Sequence, residues 1–128
     1  MTESFSTHIT GIAEFELLQS FEAFQAASAA LVARNHQEGL RGVIDYRYFR
    51  NPQTDGIGAV FTYADAETWI AHHKLIVTWP EFEAYKQTVR MVSYTLYGPV
   101  NDTIREMGST APFAYRYFSE PVAGFVRD

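Results

Sequence analysis

Trp69, His72, His73 and Ile76 stand at i, i+3, i+4 and i+7 in the chain. On a helix all four project to one side, which is the chemistry of a pocket wall: an indole face for stacking a planar ligand, and an imidazole that exchanges protons near neutral pH. The plainer alternative is that Trp69 and Ile76 are core and the histidines boundary residues. Consecutive histidines lie about 100° apart on a helix and do not easily share one ion, and no His-Glu-x-x-His accompanies them. No metal site is expected. A second group is phenolic and basic: Tyr46, Tyr48, Tyr63, Tyr94 and Arg90. Facing a cleft, such phenols and a guanidinium would orient an enolic or phenolic ligand and stabilise its anion. Taken singly, tyrosines on sheets more often just pack, with the hydroxyl at the rim. Arg34, Arg41, Arg47 and Arg50, interleaved with Glu38 and Asp45, read as a salt network rather than an anion site. Gly56-Ile-Gly58 lacks the third glycine of a dinucleotide loop, and neither a phosphate loop nor a Gly-x-Ser-x-Gly elbow is present.

The elements that position these groups follow from periodicity. Residues 7–18 alternate, with Ile9, Gly11, Ala13, Phe15 and Leu17 on one face, which predicts a strand. Ser20 is a natural N-cap for a helix carrying Glu22 in its first turn and Phe21, Phe24, Ser28 and Leu31 on one stripe; it should end at Gly39 in the left-handed conformation. Val43–Arg50 and Ile57–Tyr63 alternate around the turn-rich residues 51–56 and predict a hairpin, with Ile44, Tyr46 and Tyr48 sharing a face. Asp65 caps a second helix. Thr78-x-x-Glu81 reads as a capping box, with Phe82, Tyr85, Val89 and Val92 on the stripe of the helix it starts and a break near Val77 and Thr78. A strand over 93–100, a short helix capped at Asn101 or Asp102 and closed by Gly108, and an aromatic strand over 113–118 complete the chain. The last is expected on a sheet edge, that of a partner subunit.

The order βαββαβ predicts an α+β, ferredoxin-like domain with an antiparallel sheet, spanning 1–128 as one unit with its core over about 7–100 and an appendix over 101–128. The outer sheet face would carry Ile12, Val43, Phe49, Val60 and Tyr97 among Glu14, Glu16, Asp45 and Arg47. A second copy packed there explains such a face better than water, so a homodimer through the sheets is expected.

Composition sets bounds. With 128 residues and 47% hydrophobic side chains the chain builds its own core without staples, and with no cysteine it has none to use. That fits a reducing cytoplasm. The net charge of −5 disfavours nucleic acid and anionic lipid, and no apolar run approaches the ~20 residues of a spanning helix, so neither nucleic acid nor membrane is an expected partner. The first residues, with Glu3 and no apolar stretch, do not read as a signal peptide.

The stretch Tyr63-Ala-Asp-Ala-Glu-Thr-Trp-Ile-Ala-His72, followed by Phe82-Glu-Ala-Tyr85 and Leu96-Tyr-Gly-Pro-Val100, resembles the antibiotic biosynthesis monooxygenase (ABM) family, as does the turn from Gly39 to Gly42. The resemblance covers most of residues 7–100. It implies a ferredoxin-like domain that dimerises into a dimeric α+β barrel, and activities ranging from cofactor-free oxidation of aromatic polyketides to quinol oxidation and haem degradation. Ala71-His72 matches the family's Ala-His step and Trp69 its aromatic three residues earlier; His73 is an addition. Haem breakdown is not expected, because the first strand has no Asn and Trp69 lies too near His72. The resulting expectation is a cofactor-independent monooxygenase, an oxidoreductase of a small electron-rich aromatic or enolic compound. His72 would be the proton carrier and Arg90 the oxyanion partner, with Trp69, Tyr48, Tyr63 and His73 holding the substrate. The rival is a non-catalytic dimeric small-molecule-binding or stress-response protein of the same fold.

Overall fold

The computed structural model describes residues 2–127, with side chains from residue 5 onward. After a short helix α1 (Thr2–Thr7), the elements run β1 (Ile9–Leu17), α2 (Phe21–Glu38), β2 (Val43–Arg50), β3 (Ile57–Tyr63), α3 (Ala66–Ile76), α4 (Pro80–Lys86), β4 (Val89–Tyr97), α5 (Asp102–Ser109) and β5 (Tyr115–Phe118). The sheet order is β2-β3-β1-β4-β5. Its first four strands pair antiparallel in the order a split βαβ demands, because each helical crossover leaves room for one strand between the two it connects. The mixed α+β, ferredoxin-like architecture is therefore present. Among the described residues no helix is long and apolar enough to cross a membrane.

Period-two burial puts Ile57, Ala59, Phe61 and Tyr63 of β3 and Ile9, Ala13 and Phe15 of β1 into the core, where they meet Phe24 and Leu31 of α2, Trp69 and Ile76 of α3, and Tyr85 of α4. Helix α2 starts where Ser20 Oγ accepts the Ala23 N–H at 3.1 Å. It is tied to α4 by Arg34, whose guanidinium donates to Glu81 at 2.9 Å and lies 4.8 Å from the Trp79 ring centroid.

Four local expectations are corrected. Gly39 ends α2 in an extended conformation at φ −79°, not a left-handed one; glycine is needed there because a Cβ would lie 2.3 Å from the Asn35 carbonyl oxygen. The capping box at Thr78 does not form: its hydroxyl donates back to Leu75 O at 2.6 Å, and Trp79 precedes α4 without a side-chain cap. Helix α4 stops at Lys86, and Val89 to Val92 belong to β4, paired with β1 from Leu17 onward, because strand pairing outweighs a helical spacing carried by two β-branched valines. In β2 a register shift between Val43 and Asp45 reverses the parity, so Val43 packs on the core and Ile44 is exposed, while Tyr46 and Tyr48 remain inward.

Strand β5 lies parallel to β4 on the edge of its own sheet, with Tyr94 opposite Tyr115 and Tyr97 opposite Phe118. This corrects the expectation of a partner's edge. The last residues run back over one end of the outer sheet face, where Phe5, Ile44, Tyr97, Phe118 and Val122 border a shallow cleft.

Candidate functional site

Helix α3 is started by Asp65, whose Oδ1 accepts the Thr68 N–H at 2.8 Å and the Thr68 hydroxyl at 2.7 Å; both bonds stabilise the carboxylate and lower its pKa. This cap fixes the helix so that Trp69, His72 and Ile76 are buried against the sheet. Beside them a cavity of about 480 Å³ opens between the inner sheet face, the ends of α3 and α4, and the chain just before β5. Phenol rings dominate its wall: Tyr46 and Tyr63 from the hairpin, Tyr85 from α4, Tyr94 from β4 and Tyr115 from β5.

His73 is on that wall. Its Nδ1 lies 2.7 Å from the Trp69 carbonyl oxygen, and a carbonyl only accepts, so Nδ1 carries the proton and Nε2 the free lone pair. Nε2 has no hydrogen-bond partner among the described residues. Burial drives the His73 pKa down to about 4, partly offset by the bond to Trp69, so the ring is neutral around pH 7. Trp69 backs it, with ring centroids 3.8 Å apart, and donates through Nε1 to the Tyr94 hydroxyl at 3.2 Å. The Trp69 side chain is 1% exposed and stands behind His73 rather than on the wall.

His72 takes a different place from the expected one. It is 0% exposed and absent from the cavity wall, with rings of Tyr46, Tyr63 and His73 at 5.3, 5.5 and 5.2 Å. Neither ring nitrogen has a partner, and burial, with the His73 ring adding to it, lowers its pKa to about 3. Tyr48 also lies one layer back, donating to the Tyr85 hydroxyl at 3.0 Å, whereas Tyr63 reaches the cavity. Arg90 borders the cavity on β4, but its side chain is largely exposed and ion-paired with Glu16, its cross-strand partner from β1 on the outer sheet face, so it does not meet a buried oxyanion. The site thus joins His73 and Tyr63 directly and puts His72, Trp69 and Tyr48 in supporting positions. Among the described residues no group of three or more His, Asp or Glu is placed to hold a metal ion.

Burial raises the phenol pKa values, to about 12 for Tyr46 and Tyr115 and well above the ordinary value for Tyr63, Tyr85 and Tyr94. All remain protonated donors around neutral pH. Their placement is exacting at Tyr94: a Cβ on Gly11, across the β1–β4 pairing, would lie 2.5 Å from the Tyr94 hydroxyl. Gly11→Ala should therefore push this ring toward the cavity and cost about 1 to 3 kcal/mol, read from the urea midpoint, with weaker ligand binding. An unchanged midpoint would mean that the ring moves freely. The wall residues missed from sequence include Tyr85, Lys86, Phe82 and the pair Phe113 and Tyr115, whose rings stack at 5.6 Å just before and at the start of β5. Their alternation with exposed Arg116 and Phe118 was the available sign that one face of this strand is covered.

No protein-family model matches the sequence, and no curated protein matches it significantly. Solved structures do. MupZ from Pseudomonas fluorescens superposes with a TM-score of 0.73 at 23% identity, over 94% of this chain and 95% of that one. SnoaB, a cofactor-independent oxygenase from Streptomyces nogalater, gives 0.62 at 13% identity over 70% and 90%. A Caulobacter crescentus protein provisionally described as an antibiotic biosynthesis monooxygenase gives 0.63 at 16% identity over 78% and 96%. At these identities the likeness is one of architecture, and the chain has the ABM-like α+β fold.

Proposed function

We propose that the chain is a cofactor-independent monooxygenase of the ABM type, oxidising a small electron-rich aromatic or enolic compound in the phenol-lined cavity, with His73 as the base. The tautomer of His73 supports this most: a neutral imidazole whose Nδ1–H is held by the Trp69 carbonyl offers the Nε2 lone pair to an apolar space. The likeness to SnoaB supports the reaction class.

In the proposed reaction Nε2 takes a proton from an activated CH₂ or phenol of the substrate. Protonated Tyr63 and Tyr94 hydroxyls stabilise the resulting anion, whose charge such donors meet more strongly in a dry site than in water. The anion transfers one electron to dioxygen, the radical pair combines to a C–O bond, and loss of water from the hydroperoxide leaves a carbonyl. For a CH₂ group the balance is CH₂ + O₂ → C=O + H₂O, all electrons coming from the substrate. An oxygen electrode tests it with anthrones and quinols in aerated, chelator-treated buffer: one O₂ per substrate, faster than autoxidation, is expected. Uptake at the blank rate, with ligands still quenching tryptophan fluorescence, would leave the binding-protein reading instead.

The working unit in this proposal is a cytoplasmic homodimer joined through the outer sheet faces. Ile12, Phe49 and Tyr97 are exposed there at 43%, 53% and 43%. An obligate interface of this kind buries more than about 2,000 Å². Sedimentation at micromolar concentration should give a dimer, and Val60→Glu, which sets an unpaired charge in the seam, should dissociate or unfold it. A wild-type monomer would contradict the arrangement.

A further inference from the structure

The pairing registers lay the outer sheet face out in rows. Asp45, Thr62, Thr10, Tyr97 and Phe118 form one row across all five strands. Phe49, Gly58, Glu14 and Ser93 form another, about 13 Å away at the rise of a strand, because Glu14 stands four residues beyond Thr10 on β1. The two ends differ in relief. Over the first row lies the chain after β5, with Pro121, Val122 and Val126 against Phe5, Ile44 and Tyr97. At the second row the face is sunken: a Cβ built on Gly58 would meet no atom within 4 Å, and Glu14, Phe49, Pro52 and Thr54 border the hollow with it. The ends differ in charge as well. On the raised end the Arg127 guanidinium lies 5.0 Å from the centroid of the exposed Phe125 ring, and it has no carboxylate partner among the described residues. Glu14 in the hollow is exposed and has no cation partner among the described residues; Arg50, which also borders the hollow, is held by Asp55.

Resting on the homodimer proposed above, we infer that the tail of each copy, residues 119–127, seats in the Gly58 hollow of the other, with Arg127 meeting Glu14 across the seam. Symmetry and relief select this arrangement. A two-fold axis that joins two outer faces lies in the plane of the seam, and for aligned sheets it runs either along the strands or across them. Along the strands it sets tail against tail, so that two raised ends and two like charges collide while the hollows face each other unfilled. Across the strands it turns the second copy end for end, and each raised end meets a sunken one of opposite free charge. Only the second setting covers Val122 and Phe125 and gives Glu14 a cation as the seam closes over it; an unpaired carboxylate enclosed there would be strongly destabilising.

The chain has no cysteine, so introduced thiols report the arrangement directly. Val122 is 92% exposed, and Gly58 has open space at its Cβ position and no left-handed backbone, so both accept cysteine without strain. Within one copy they lie at opposite ends of the face, beyond the Cα separation of about 7 Å that a disulfide spans. Under mild oxidation the Gly58→Cys, Val122→Cys double variant should run as a covalent dimer on a non-reducing gel, and neither single variant should. An independent charge swap keeps the test decisive if a cysteine variant does not fold. Glu14→Arg should raise the dimer Kd about tenfold in sedimentation, and Arg127→Glu added to it should restore most of the loss. A Val122→Cys variant that links to itself, a double-cysteine dimer that stays unlinked, or a charge swap without rescue would overturn the seating and leave the homodimer standing. A wild-type monomer would overturn both, and oxygen uptake tests the oxygenase reading separately from either.

Discussion

His73→Leu should lower turnover by about 10² to 10⁴, whereas His72→Leu should leave it within about threefold of the parent. The two residues are adjacent in sequence and alike in chemistry, but only His73 is on the cavity wall with one nitrogen fixed as donor and the other free. His72 is sealed among Tyr46, Tyr63 and His73 with both nitrogens unpartnered. Replacing an unsatisfied buried imidazole by an apolar side chain of similar size removes a desolvation penalty, so His72→Leu should be neutral or stabilising to heat. The pH profile adds a second reading. With the His73 pKa lowered to about 4, kcat/KM should be flat above about pH 5.5 and fall on the acid side near 4, not near the ordinary imidazole value of about 6.5. Equal losses at the two histidines would mean that the effect belongs to the helix.

The protein should lose stability steeply as pH falls from about 6.5 to about 4.5, by up to about 5 kcal/mol, a large share of the 5 to 15 kcal/mol typical of a whole domain. Burial depresses both histidine pKa values in the fold, to about 4 for His73 and about 3 for His72. Above about pH 6.5 neither ring is protonated folded or unfolded, and stability is at its full value. Below that the unfolded chain binds two protons that the native rings refuse, each worth about 1.4 kcal/mol per pH unit until the folded pKa is reached. Urea midpoints between pH 7 and 4.5 check this. The His72→Leu, His73→Leu double variant should show a much shallower dependence, and a slope equal to the parent's would place the acid sensitivity elsewhere.

Strands β1 and β3, β2 from Tyr46 onward and the start of the helix capped by Ser20 are legible in the sequence because local pattern and tertiary burial agree there: Ile57, Ala59, Phe61 and Tyr63 alternate and are all buried. Legibility fails where pairing overrides local preference. Val89 and Val92 continue the spacing of Phe82 and Tyr85, yet Leu17 and Glu16 of β1 draw this stretch into the sheet, and that partner lies some 70 residues away. The phenol-rich site was visible as a set of residue types, and Tyr63 was placed in it. Which histidine faces the cavity was not visible. Both lie toward the sheet, and the choice rests on where the space opens, between the inner sheet face, the ends of α3 and α4, and Phe113 and Tyr115. No spacing within α3 encodes that wall.

The assignment of His73 as a neutral base is tested most directly by long-range ¹H–¹⁵N correlation on histidine-labelled protein at pH 7. The proton should be found on Nδ1, the Nε2 resonance should be that of a bare nitrogen, and adding a cavity ligand should shift Nε2 while the His72 signals move far less. A ring protonated on both nitrogens, a proton on Nε2, or a ligand response confined to His72 would contradict it.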